Sequence, residues 1–101
     1  MLHQIFTIHD ITAEVHTQPF YGINDAVAVR SCVNLVQNPG TTFYDNPEDF
    51  RLYHIGSFDD ESCVFVQTEK RFIVRLSDLL VRQFPNDENE EAQQENEEVN
   101  P

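Results

Sequence analysis

The chain has 101 residues, with 18 Asp or Glu against 6 Lys or Arg, and its formal net charge is -12. This length and a 40% share of hydrophobic residues suit one small domain. No run of about 18 apolar residues occurs, so we expect no membrane-spanning helix, and the first residues lack the basic start of a signal peptide. The negative charge also opposes non-specific binding to the phosphates of nucleic acid.

Two strands are predicted before residue 22. The first covers Leu2–His9, which is mostly β-branched or aromatic. Three apolar side chains of this stretch share one parity, as expected of a strand with one buried face: Leu2, Phe6 and Ile8. A second, shorter strand is predicted over Ala13–Phe20. Pro19 cannot donate a ladder hydrogen bond, so this strand suits a sheet edge.

A helix is predicted over residues 24–37. Asn24 or Asp25 can cap its first amides, and four apolar residues recur at spacings of three and four: Ala26, Val29, Val33 and Val36. The sequence Asn38-Pro39-Gly40 ends the helix, because proline cannot continue it and glycine permits positive φ. Residues 41–50 contain a cluster of turn-forming residues and are predicted to be a loop.

Two apolar and aromatic runs, Arg51–Phe58 and Cys63–Thr68, are separated by four polar residues, an ordinary loop length for a β-hairpin. After Lys70 the spacing favours a second helix that ends before Pro85 and carries two stripes: Phe72, Leu76, Leu79 and Leu80 on one, and Arg71, Arg75, Asp78 and Arg82 on the other. Its start is left open, because Ile73 and Val74 could extend the preceding strand.

The predicted order is therefore ββαββα, an α+β fold in which a small antiparallel four-stranded sheet is backed by two helices. We expect this single domain to occupy residues 1–85. Residues 86–101 hold 7 acidic residues and neither a basic nor an aromatic one, so they cannot bury enough apolar surface to fold. They are predicted to be a disordered acidic tail.

No catalytic or metal-binding constellation stands out among the residues. The four histidines and two cysteines have no ligand spacing, so no metal or cofactor is expected, and both thiols are predicted to be buried. Cys63 could meet His54 across the hairpin as a nucleophile and its base. A loop centred on residues 60 and 61 weakens this pairing, because it opposes Phe58 to Cys63 and places His54 near Gln67. An enzyme, dependent on Cys63 or on a metal held by Asp59–Glu61, is therefore only a remote alternative.

Four of the six basic residues lie within thirteen positions and are the candidate binding residues: Lys70, Arg71, Arg75 and Arg82. They form a local basic patch that could bind nucleic acid or a protein partner. The alternative is a solvated helix face in which Asp78 pairs with arginines before and after it.

Several short motifs resemble a known family. They are Gln18-Pro19-Phe20-Tyr21, Asn38-Pro39, Pro47-Glu48-Asp49-Phe50 and the run from Gly56 to Asp60. In this order, over about residues 1–82, they resemble the small non-structural protein of gokushoviruses, the Microviridae phages with single-stranded circular DNA genomes. The stretch Pro47–Asp60 is the most specific part, and the acidic tail lies outside the resemblance.

The resemblance implies a phage protein that is made in the host bacterial cytoplasm, is absent from the capsid and assists viral single-stranded DNA synthesis or packaging. It implies no catalytic residues. The leading hypothesis is a non-enzymatic accessory protein that contacts a viral replication or scaffolding protein. Its rival is direct binding of single-stranded DNA by the basic 70–82 segment and exposed aromatic residues. Self-association could add stability to so small a domain.

Overall fold

The strand β1 (Leu2–Asp10) lies inside the sheet, with strands paired to both of its edges. In the computed structural model, which describes residues 1–80, one edge of β1 pairs antiparallel with β4 (Phe50–Asp59) along the whole strand. The other edge pairs with two short strands, β2 (Val15–His16) and β3 (Phe20–Gly22). Beyond β4, the strand β5 (Val64–Arg75) forms the last strand of the described sheet.

The helical elements are one long helix and several short turns. The helix α1 (Asp25–Val36) is capped by Asn24, whose side-chain oxygen accepts a hydrogen bond from the backbone N–H of Val27 at 3.0 Å. The short helix α2 (Thr42–Asp45) follows it. Two 3₁₀ turns complete the described chain: Pro47–Asp49 before β4, and Leu76–Leu79 after β5.

The core lies between α1 and one face of the sheet. Its buried side chains come from the sheet, from α1 and from the last 3₁₀ turn: Phe6, Ile8, Phe50, Leu52, Ala28, Cys32, Val36 and Leu76. Within residues 1–80 no helix packs on the opposite face of the sheet, which we call the open face. No helix in this described range is long and apolar enough to cross a membrane.

The α+β class and the antiparallel sheet are confirmed, but the strand count and order differ from the prediction. The predicted second strand over Ala13–Phe20 is replaced by β2 and β3. Thr17 separates them, because its hydroxyl accepts the backbone N–H of Ile8 at 3.0 Å and its carbonyl accepts the hydroxyl of Thr7 at 2.9 Å. The described order is consequently βββααββ, with the second helix before the hairpin.

The predicted second helix after Lys70 is wrong. Residues up to Arg75 continue β5, with Leu52 opposite Val74 and Tyr53 opposite Phe72. Ile73 is an extra residue between these two pairs. Such a bulge moves the following side chains to the other face, so the apolar spacing imitates that of a helix. The alternative in which Ile73 and Val74 extend the strand is therefore the correct one.

The predicted bounds of the first helix agree closely with those of α1, but the predicted buried face differs from the observed one. Its buried residues are Ala28, Cys32 and Val36, whereas the predicted stripe included Ala26, which is exposed. Leu2, predicted on the buried face of β1, is also exposed. The predicted tail over residues 86–101 lies outside the described residues.

Candidate functional site

The open face carries most of the aromatic and cationic side chains of the sheet. The strand pairings and ring contacts assign the following residues to it: His3, Ile5, Thr7, His9, His16, Tyr21, Arg51, Tyr53, Phe58, Phe65, Lys70, Phe72 and Arg75. Three of its aromatic rings are more than half exposed, namely Tyr21, Phe65 and Phe72. Rings left exposed in this number offer flat surfaces to a partner.

One aromatic cluster lies near the β4–β5 turn. Phe58 is in contact with Phe65, with 4.6 Å between ring centroids, and with Tyr21 at 6.2 Å. His3 meets Tyr21 edge-on at 6.1 Å. The cluster spans four strands, so the sheet holds these rings in place.

A second cluster surrounds Lys70. The Nζ atom of Lys70 lies 4.5 Å from the centre of the Tyr53 ring, a cation–π contact, and 3.1 Å from Nε2 of His16. An ammonium can only donate, so His16 accepts this hydrogen bond and is neutral. The ring of His16 stacks on that of His9 at 4.3 Å. Desolvation, the charge of Lys70 and His9 lower the pKa of His16.

Between these clusters lies a groove of about 520 Å³. One wall comes from His16, Thr17, Pro19 and Tyr21, the other from residues 65–68 and Lys70, and Ile5 and Ile55 form the floor. Thr17 fastens the first wall to β1 through its bonds to Thr7 and Ile8. Among the described residues that line the groove there is no carboxylate, and Lys70 is the one Lys or Arg.

The predicted basic patch does not form one stripe. Lys70 belongs to the open face, whereas the next residue, Arg71, points to the helix side and binds Asp25 with two hydrogen bonds of 2.9 and 3.1 Å. These bonds lower the pKa of Asp25. Arg75 lies opposite Arg51 on the open face. Arg82, the fourth predicted residue, lies outside the described residues.

The structure separates the pair considered for catalysis. Cys63 lies in the β4–β5 turn and is exposed, contrary to the prediction that both thiols are buried. His54 lies opposite Arg71, and its Nε2 is 2.7 Å from the side-chain oxygen of Gln4. The observed register opposes Phe58 to Phe65 rather than to Cys63. The register of the hairpin therefore does not bring His54 to Cys63.

The carboxylates of Asp59 and Asp60, which were considered for a metal site, make contacts within the protein. The Asp59 side chain accepts the backbone N–H of Glu61 at 2.9 Å, and Asp60 is 2.8 Å from Nε2 of His3. Within residues 1–80 no three His, Cys, Asp or Glu side chains are grouped as a metal site would require.

Sequence reasoning missed the open face as a unit. The sequence suggested exposed aromatic residues as a stacking surface, but it did not predict which face of the sheet carries them. Tyr53 and Phe58 differ in parity, as do Phe65 and Phe72 on a strand with two irregularities, so alternation alone could not put them on one face.

A family model described as Phage ORF5 protein matches residues 3–79. This range covers all the strands and helices described above except Leu2, the first residue of β1. No curated protein matches the chain, and no solved structure matches it.

Proposed function

Because this chain belongs to the Phage ORF5 protein family, we propose that it is a non-enzymatic accessory protein that binds single-stranded DNA on its open face. It acts in the cytoplasm of the bacterial host of a gokushovirus, where it assists synthesis or packaging of the single-stranded genome. The gokushovirus assignment follows the motif resemblance. The DNA-binding role is supported by the aromatic and cationic residues that share the open face.

Stacking is the main interaction that this face offers. Bases stack on exposed aromatic side chains at about 1–3 kcal/mol per base, with little preference for sequence. Phe72 is 53% exposed beside Tyr53, and Phe65 is 63% exposed beside Phe58. Each pair presents a ring on which an unpaired base can stack. Four-stranded sheets with such rings are a common way to hold single strands.

The charges on the open face limit how tightly DNA binds. Arg51, Lys70 and Arg75 are the Lys and Arg side chains that the described part of the chain places on it, and the formal net charge of -12 opposes them. Three phosphate contacts correspond to a slope of about -2 in a plot of log K against log salt concentration for a single strand. Non-specific DNA binding typically has a Kd of about 1–100 µM at physiological salt, and we expect a value in this range.

The test is a titration of fluorescein-labelled (dT)12 with the full chain at 50 and 200 mM salt, followed by anisotropy. We expect Phe72→Ala to weaken binding about ten-fold and Arg75→Gln to make the salt slope shallower by about one. Two exposed residues away from the open face provide matched controls, Ile23→Ala and Arg30→Gln. Absence of binding at 100 µM protein, or equal losses in the controls, would contradict the proposal.

A second candidate function is contact with a viral replication or scaffolding protein. It is favoured by β5, whose outer edge has no neighbouring strand among the described residues and carries Val64 and Val66 about half exposed. Such an edge can accept a strand from another protein, including a second copy of the chain. Val64→Lys would then block genome synthesis or packaging in infected cells while leaving (dT)12 binding unchanged.

The viral step is located by deleting the gene and scoring an infection for replicative double-stranded DNA, single-stranded progeny DNA and filled capsids. Normal double-stranded DNA with reduced single-stranded DNA or capsid filling supports the proposed role. A defect confined to double-stranded DNA would place the protein earlier and contradict it.

A further inference from the structure

The groove is a concave site within an otherwise shallow open face. Its volume of about 520 Å³ falls in the range of small-molecule sites. The exposed faces of Tyr21 and Phe65 lie on its two walls. Both rings contact Phe58, so their positions are set before a ligand arrives. Two held aromatic walls favour a flat, aromatic ligand over a branched aliphatic one.

The charged side chain at the groove, Lys70, favours an anionic ligand. Lys70 forms no salt bridge with a described carboxylate, in contrast to Arg71, which is held by Asp25. The Lys70 ammonium donates one hydrogen bond to His16, which leaves two N–H groups for a ligand. An anionic group at this end of the groove would meet no carboxylate from the described lining residues.

Some polar groups that line the groove are hydrogen-bonded within the described part of the protein, and others are left for a ligand. Thr7 and Thr17 bond to each other and to the backbone. The amide of Gln67 and the hydroxyl of Tyr21 make no hydrogen bond within residues 1–80 and both line the groove. An amide that donates and accepts matches the edge of a nucleobase, whereas an alkyl chain would leave it unpaired.

We propose that the groove holds one nucleotide of a bound DNA strand, with the base between Tyr21 and Phe65, its edge at Gln67 and its phosphate at Lys70. This inference rests on the proposed function and adds a single-nucleotide pocket to a surface that otherwise binds by stacking and by phosphate contacts. The neighbouring nucleotides then continue over Tyr53 and Phe72.

The experiment follows the methyl signals of Ile5 and Ile55 in the full chain by ¹³C-edited NMR during addition of (dT)12, and separately of thymidine monophosphate. Both methyl groups lie on the groove floor, so both ligands should shift them. Phe65→Ala and Gln67→Ala should weaken (dT)12 binding about ten-fold and three-fold, and Lys70→Gln should abolish the shifts by the monophosphate. Ile23→Ala is the control, and far-UV circular dichroism checks that each variant is folded.

The outcomes separate the groove from the proposed function. If (dT)12 binds and Phe72→Ala weakens it, but the floor methyl groups do not shift and Phe65→Ala has no effect, the DNA-binding role stands and the groove proposal is overturned. If thymidine monophosphate shifts the methyl groups while (dT)12 does not bind, the groove is a free-nucleotide site, which overturns the strand arrangement. If neither ligand shifts any signal, both proposals fail.

Discussion

The backbone carbonyl of Val66 lies directly over Gly56, so close that a Cβ atom at Gly56 would collide with it. This approach lies beside the groove, because Phe65 and Val66 are among its lining residues. Gly56 is thus required by the close packing of two backbones. The same residue begins the run Gly56–Asp60 that carries part of the family resemblance.

Gly56→Ala is therefore expected to destabilise the protein by about 1–3 kcal/mol, because β5 must move away from β4. Urea unfolding followed by far-UV circular dichroism measures the loss. Gly22→Ala is the matched control, since the nearest atom to a Cβ there is on the ring edge of Phe6 at 3.2 Å and the nearest backbone atom, the Asn24 oxygen, lies at an ordinary contact distance of 3.7 Å, so it should cost less. Equal losses in the two variants would show that the contact with Val66 is not the cause.

Cys63 has a backbone role in the β4–β5 turn. Its φ angle is 62°, a left-handed conformation that costs an L-residue about 1–2 kcal/mol, and its N–H bonds to the carbonyl of Asp59 at 2.8 Å. We expect Cys63→Gly to be at least as stable as the natural chain and Cys63→Val to melt lower. Ser62→Gly, at a position without positive φ, should gain nothing. Loss of phage production in a folded Cys63→Gly variant would reopen the catalytic alternative.

The two cysteines should differ in reactivity. Cys32 is fully buried in the core, and burial raises the pKa of its thiol to about 12, whereas Cys63 is exposed. The thiolate is the reactive form, so a disulfide reagent at pH 8 should label one thiol per native chain and two in urea. Cys63→Ser should remove the fast reaction. Two fast thiols in the native protein would contradict the buried position of Cys32.

Local signals explain which elements were predicted correctly. The ends of α1 could be predicted because Asn24 and the Asn38-Pro39 pair each act on a helix end only one or two residues away in sequence. The hairpin could be predicted because its turn is short and polar. The end of β5 could not be predicted, because Val74 pairs with Leu52 on a strand more than twenty residues away. Such tertiary pairing overrides a helical spacing of apolar residues.

The candidate site was harder to predict for the same physical reason. Lys70 and Arg71 were grouped as neighbours in sequence, but adjacent strand residues point to opposite faces, and Asp25 binds only one of them. The contact between Lys70 and His16 joins two edges of the described sheet. A contact of that kind depends on the curvature of the sheet, which no local motif encodes.

The last prediction concerns the pH dependence of this contact. His16 accepts a hydrogen bond from Lys70 and stacks on His9, so a proton on His16 would remove the acceptor and place a positive charge beside Lys70. The pKa of His16 is consequently lowered from 6.5, chiefly by desolvation. As the pH falls below about 6.5, the unfolded chain binds this proton before the folded chain does, and stability decreases. The decrease from this group ends once the pH is below the folded-state pKa.

Melting temperatures of the natural chain should therefore fall between pH 7.5 and 5 by more than those of His16→Gln, whose amide can still accept from Lys70. Carboxylates contribute equally to both proteins, so the difference isolates His16. Parallel melting curves of the two proteins over this range would contradict a neutral, hydrogen-bonded His16.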